Sequence, residues 1–361
     1  MRGTRGTCSR PSVPMPLSPS PNPDRPPLRG VIVGGGAVAT RGHIPAYFSA
    51  HLARRFQILG VVDPAPGVAP GHGIPVLDRL DRIRDLGPVD FLDVCTPTAL
   101  HLRLTLWGLE HGFHVLCEKP VALNRNEAEQ IAVAAKRAGR VVLPCHQYRY
   151  NPAWLKIREW LKAGRIGRWH LGEFIVRRTA ADAGAGGAAD TPWRGRREKS
   201  RGGILLDHGT HLIYLVLDLA GLPQETRCWT GRLRREPYEV EDTAHVLLRY
   251  PDRAVTFFLT WADQTRATSI RFTGERGLIE WTEGVLCLDC DTAHERLDLA
   301  RELAKSAYPS WFARLFRRFA AAIERHELTV GLREIHEVGA VLEESYASAA
   351  RESDVLAQAA P

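Results

Sequence analysis

The sequence predicts a doubly wound parallel α/β domain followed by an α+β domain built on a largely antiparallel sheet flanked by helices. Three observations support this. Short apolar runs alternate with helical stretches from Leu28 to Cys145, and later strands follow one another directly across turn residues. The chain's 361 residues, 44% hydrophobic and 25% charged, suffice for two ordinary cores. It divides into a Pro-rich tail (1–28), the parallel domain (29–147) and the α+β domain (148–361).

In order, LRGVIV (28–33) reads as a buried strand, followed by a helix over about 36–54 and a strand FQILGVVD (56–63). VDFLDVC (89–95), FHVLCE (113–118) and RVVLPC (140–145) continue the sheet, with helices near 98–111 and 124–138 between them. Next come a helix at 152–163, a strand at 168–179 and a helix at 207–219. Two hairpins follow, one across Pro251 and Asp252 and one across Gly274 to Gly277. Helices near 310–325 and 333–351 close the chain; in the first, Arg314, Arg317, Arg318 and Arg325 alternate with Phe312, Phe316 and Phe319 and are expected on a solvated face.

Eight prolines in residues 1–28 predict a disordered tail, either an arm or the product of a start before Met15. No secretory apolar region precedes Val31. The net charge is +7, and the tail accounts for +3 of it, which argues against a nucleic-acid partner. The longest apolar stretch, Leu212 to Leu222, is too short to span a membrane and contains Asp218. Seven scattered cysteines read as reduced thiols of a cytoplasmic protein, and Cys287-x-x-Cys290 lies in a strand-like run whose alternation separates the two.

Three motifs carry chemistry. Gly34-x-Gly36-x-x-Ala39 ends the first strand and opens a helix, where glycines allow a pyrophosphate to approach free N–H groups. That places Gly34, Gly36, Ala37 and Val38 at a dinucleotide, and Asp63, ending the second strand, at a ribose hydroxyl, favouring NAD over NADP. Asp63 lies 29 residues after Gly34, which a long first helix would absorb. Thr96, Pro97, His101, Glu118 and Lys119 fall at the carboxyl ends of the next strands, on the same edge. Lys119 is one of 6 lysines against 42 arginines, and a primary amine can change its protonation where guanidinium cannot. In GGILLDHGTH (202–211), Asp207 and His211 stand four apart, a spacing that puts an orienting carboxylate and a proton-exchanging imidazole on one helical face. Asp207 could instead be a helix N-cap, or join His208 and His211 as metal ligands, although no further ligand cluster is evident and no metal is expected. ADAGAGGAAD (181–190) reads either as a lid or as a surface loop. In the basic run that follows, Trp193 and Arg194 could meet an anionic group on a substrate, or the run could be a solvated loop.

Together these residues resemble the Gfo/Idh/MocA oxidoreductases over about 29–361. The likeness rests on the glycine turn followed by Arg41-x-His43-x-Pro45-Ala46, on Thr96-Pro97 and His101, on Glu118-Lys119-Pro120, on HQYRYNPAW (146–154), and on Gly202-Gly203 with Asp207-x-Gly209-x-His211. The resemblance implies hydride transfer between a nicotinamide (NAD, with NADP possible) and a carbinol or ketone carbon of a sugar, cyclitol or related polyol. It implies Lys119, Asp207 and His211 as the catalytic set, with His211 exchanging the proton; Gln147, Arg149, Trp193 and Arg194 are expected at the substrate. It also implies a homo-oligomer, a dimer or tetramer. Transient oxidation by a retained NAD, or a non-catalytic dinucleotide-binding regulator, are alternatives on the same fold. The family more often has Asp three residues after the histidine; here that position is Tyr214.

Overall fold

The computed structural model describes residues 25–181, 193–234 and 237–359. Most of the tail, most of 181–190, and residues 191 and 192 lie outside the described residues.

The first half forms a six-stranded parallel sheet from β1 (Leu28–Val33), β2 (Phe56–Val62), β3 (Val76–Leu77), β4 (Phe91–Val94), β5 (His114–Cys117) and β6 (Val142–Pro144). The strand order is β3-β2-β1-β4-β5-β6, a doubly wound arrangement whose order reverses beside β1. Val31, Ile32 and Val33 are buried because helices cover both faces. After β1 the chain enters a wide turn, Ala39–His43, and then α1 (Ile44–Tyr47). The expected helix over 36–54 is therefore short, and a run of turns from 48 to 55 supplies the extra length before Asp63. Leu52 alone of that run is fully buried, so no apolar face is present to extend the helix. α2 (His101–Glu110) and α3 (Arg125–Ala138) cover the sheet; α3 is capped by Asn124, whose side chain accepts from the N–H of Glu127, and ends at left-handed Gly139.

The second half opens with α4 (Pro152–Lys162), capped by Asn151, and continues through β7 (Trp169–Arg177), α5 (Arg197–Ser200), a wide turn Leu205–Gly209 and α6 (Thr210–Ala220). Then come β8 (Glu225–Gly231), β9 (Thr243–Arg249), β10 (Ala254–Thr260), β11 (Ala267–Gly274), β12 (Gly277–Thr282), β13 (Val285–Cys290) and β14 (Ala293–Asp298). Their sheet runs β14-β13-β12-β11-β7-β10-β9-β8 and is antiparallel except between β7 and β10. The stretch Arg197–Ala220 matches a membrane-crossing helix in length and hydropathy, but it is two-thirds buried here, with Leu212 to Leu217 in the core.

α7 (Tyr308–Glu324) and α8 (Val330–Ala359) end the chain. α7 does not stay with the second sheet: Phe312, Phe316 and Phe319 pack with Ile32, Ile44 and Phe91 of the parallel domain. Arg318, expected on a solvated face, is partly buried and paired with Glu334 of α8. α8 contributes Leu332 and Ile335 to the first domain's core and Val338, Val341 and Leu342 to the second's.

Candidate active site

The carboxyl ends of the parallel strands open into a cleft of about 1710 Å³, larger than a typical small-molecule pocket and roomy enough for a dinucleotide and a second molecule. Gly34 sits at its floor with φ of +100°, and a Cβ there would lie 2.8 Å from the Cys95 backbone, so both conformation and space require glycine. A Cβ at Gly36 would meet nothing, because that residue faces the open cleft. Asp63 fixes the rim: one carboxylate oxygen accepts the Gly35 N–H at 2.7 Å and the other the Ala65 N–H at 2.9 Å. Ala37, Val38, Thr96 and Pro97 line the same wall.

His101 and Glu118 border the cleft, but their side chains are engaged from behind. The His101 ring nitrogens each lie 2.8 Å from a backbone carbonyl, of Pro120 and of Thr96, so the ring ties the two strand-end loops together. Glu118 meets His43 Nε2 at 3.0 Å, and His43 Nδ1 meets Asp93 at 2.7 Å, all three groups buried. Burial opposes charge on His43, but Asp93 and the hydrogen bonds around the ring raise its pKa well above the ordinary value. Through these two contacts His43 clamps the segment carrying Lys119. Sequence alone could not find this cluster, since its members are 75 residues apart at the extreme.

At the far end, Lys119 Nζ donates to the Asp207 carbonyl at 2.5 Å and to its carboxylate at 3.1 Å. Arg194 and His208 each lie 3.3 Å from the same carboxylate. Burial would raise the Asp207 pKa, but Lys119, Arg194 and His208 outweigh it and hold the carboxyl well below the usual range. Asp207 lies inside the turn Leu205–Gly209 and does not cap a helix. His211 follows in the first turn of α6, and burial together with the Lys119 charge pushes its pKa well below the ordinary imidazole value. Its Nδ1 lies 2.8 Å from the Tyr214 hydroxyl, and Tyr148 packs on its ring at 4.3 Å. Gly203 permits the approach to this turn, since a Cβ there would fall 1.7 Å from the Glu241 carbonyl oxygen.

The cleft gathers every residue expected at the site except Arg149. That guanidinium pairs with buried Glu334 at 2.7 Å and lies over the Tyr214 ring, so the substrate role expected for Arg149 is corrected to a packing role. Trp193 and Arg194 stack at 4.5 Å, and Gln147 lines the cleft beside Tyr148. Tyr148 and Tyr308 also line it without having been singled out from sequence, the motif HQYRYNPAW being the signal for the first, and His208, weighed from sequence only as a metal ligand, lines it too. Cys287 and Cys290 differ in burial, as strand alternation requires.

Comparison with known proteins agrees with the fold. Residues 28–146 match the model of an oxidoreductase family with an NAD-binding Rossmann fold, and residues 154–280 match the GFO/IDH/MocA C-terminal domain. D-glucoside 3-dehydrogenase of Escherichia coli (strain K12) is 27% identical over 55% of this chain and 55% of its own length. An NADP(+) scyllo-inositol 2-dehydrogenase of Bacillus subtilis (strain 168) is 27% identical over 48% of this chain and 47% of its own. The chain thus spans about half the length of these curated relatives. The solved structure of an inositol dehydrogenase homolog complexed with NAD+ from Azotobacter vinelandii shares the fold with a TM-score of 0.75, at 21% identity over 90% of this chain and 96% of that one.

Proposed function

The chain belongs to the Gfo/Idh/MocA oxidoreductase family, and from that premise we propose that it is an NAD-dependent oxidoreductase acting on a carbinol or ketone carbon of a sugar, cyclitol or related polyol. The observation that carries the reading is the contact of Lys119 with Asp207, 3.1 Å apart, joining the two domains within the cleft that also holds the glycine turn and Asp63. Gly34 and Gly36 fit a pyrophosphate, one by its positive φ and the other by the open space beside it, and the Asp63 carboxylate suits a ribose diol and opposes a 2′-phosphate. When bound, the nicotinamide supplies or accepts the hydride.

The protein's own part is to hold the reacting oxygen and move its proton. Lys119 and His211 border the same end of the cleft, and Asp207 fixes the ammonium through two hydrogen bonds. As the family resemblance has it, His211 exchanges the proton while Lys119 and Asp207 hold the oxygen. Gln147, Trp193 and Arg194 bound the space left for the rest of the substrate. The protein is further proposed to act as a homo-oligomer.

The experiment is a fluorescence titration with NADH and NADPH, followed by a panel of inositols, sugars and nucleotide sugars monitored at the nicotinamide absorbance. The expected result is NAD-linked turnover that Lys119→Ala abolishes while cofactor binding persists. Tight cofactor binding with no net turnover on any polyol would refute the dehydrogenase reading.

A further inference from the structure

The Tyr214 hydroxyl sits between two groups. The backbone N–H of Tyr148 donates to its oxygen at 3.1 Å, and His211 Nδ1 lies 2.8 Å away. Among the described residues these are its hydrogen-bond partners. A phenol has one proton to give, and with an N–H already pointing at its oxygen, the acceptor within reach is Nδ1 of the imidazole. The ring cannot swing aside: it is fully buried, stacked on His146 at 4.1 Å, with the Arg149 guanidinium 5.7 Å from its centroid. Burial keeps the phenol protonated, and burial with the Lys119 charge keeps His211 neutral.

We propose that Tyr214 is a positioning residue that locks His211 in the tautomer carrying its proton on Nε2, so that the imidazole meets the substrate as a hydrogen-bond donor and the proton is exchanged with Lys119. An aspartate at position 214 could only accept, would hold the proton on Nδ1, and would leave Nε2 with the lone pair of a base. Tyr214 inverts that arrangement. Nε2 is the nitrogen left for the cleft, and a neutral imidazole carrying its proton there polarises a carbonyl oxygen without giving the proton up.

The inference rests on the oxidoreductase reading, but it replaces the proton exchange at His211 that the family resemblance implies with exchange at Lys119, and divides the chemistry as follows. In reduction, a bound nicotinamide would supply the hydride to the carbonyl carbon, and the carbonyl oxygen would take its proton from the Lys119 ammonium. The alcohol and the oxidised cofactor would result, leaving a neutral Lys119 amine that recovers a proton from water. His211 Nε2–H donates to that oxygen throughout. In oxidation the amine of Lys119 takes the hydroxyl proton and the same N–H stabilises the developing alkoxide.

The test is nitrogen NMR of the full chain labelled at histidine and recorded at neutral pH, with His211 assigned by difference from His211→Gln. The expected spectrum shows His211 neutral, protonated on Nε2, with the lone-pair-bearing nitrogen at Nδ1. Tyr214→Phe keeps the ring but removes the hydroxyl, and should cut the ratio of the two tautomers about tenfold; Tyr214→Asp should move the proton to Nδ1. A His211 protonated on Nδ1 in the unaltered protein overturns the proposal, and so does a tautomer ratio unmoved in Tyr214→Phe. The spectrum needs no substrate, so failure of the lock is distinguishable from failure of the polyol reading, which the turnover panel decides.

Discussion

Replacing Glu334 with Gln removes one negative charge from the junction of the two domains, and the structure sets the size of the effect. The carboxylate is 9% exposed, lies 2.7 Å from Arg149 and 2.9 Å from His146, and also accepts from Arg318. Burial would raise its pKa, but Arg149, Arg318 and His146 hold it well below the usual carboxylate range. Glutamine fills the same volume and can still accept one hydrogen bond, but two guanidiniums then face each other without an anion between them. Breaking a buried pair by removing one partner costs about 3–5 kcal/mol, and the partial exposure of Arg318, 29%, argues for the lower end. At roughly 2 °C per kcal/mol for a chain of this size, the melting temperature should fall by about 6 °C or more at neutral pH. Calorimetry measures the shift, and urea unfolding gives the free energy independently. Adding Arg149→Met should recover part of the loss, since it removes one uncompensated charge. A melting temperature within about 2 °C of the unaltered protein would refute the argument that this cluster is held by its central charge.

The same cluster makes stability depend on acid. Burial lowers the His146 pKa to about 4 despite Glu334, so the unfolded chain takes up this proton first as pH falls and the folded state loses about 3 kcal/mol between the ordinary value near 6.5 and about 4; urea midpoints across that window should drop, and less steeply in His146→Gln. Gly203→Ala drives a Cβ to 1.7 Å from the Glu241 carbonyl oxygen, so the backbone before Asp207 must shift; expect a loss of about 1–3 kcal/mol by thermal melting and a fall in turnover. Asp63→Ser removes the acceptor that pins Gly35 and Ala65 and the charge facing the ribose; NADH should bind about tenfold more weakly and NADPH more tightly, as fluorescence titration would show.

The parallel domain was legible because its strands are continuous apolar runs ended by turn residues, and β1, β4 and β5 fall inside the segments read from sequence. The edge strands β3, β8 and β14 escaped: β3 has two residues, β8 buries only Thr226 and Cys228 in an otherwise polar run, and β14 fully buries none of its residues. The parallel contact of β7 with β10 joins residues about 80 positions apart, and no local pattern encodes it. In the site, Lys119, Asp207 and His211 were legible as motifs because each stands where a strand or helix begins or ends. The direction of Arg149 was not, because it depends on Glu334, 185 residues later and on another element. Tyr214 stood out only as a departure from the family pattern; its partnership with His211 Nδ1 required the fold.

The path of the last two helices changes what counts as a separable part. The family matches, 28–146 and 154–280, separate the two halves, but the interiors do not: α7 fills the parallel domain's core with Phe312, Phe316 and Phe319, and α8 runs from that core into the other. A fragment ending near residue 147 would leave Ile32, Ile44 and Phe91 facing water on the side α7 covers. A chimera that borrows this cofactor domain must therefore carry 308–335 with it. The candidate cofactor-binding half of the cleft is completed by helices that follow the second sheet in the chain, which ties the formation of one half to the synthesis of the other.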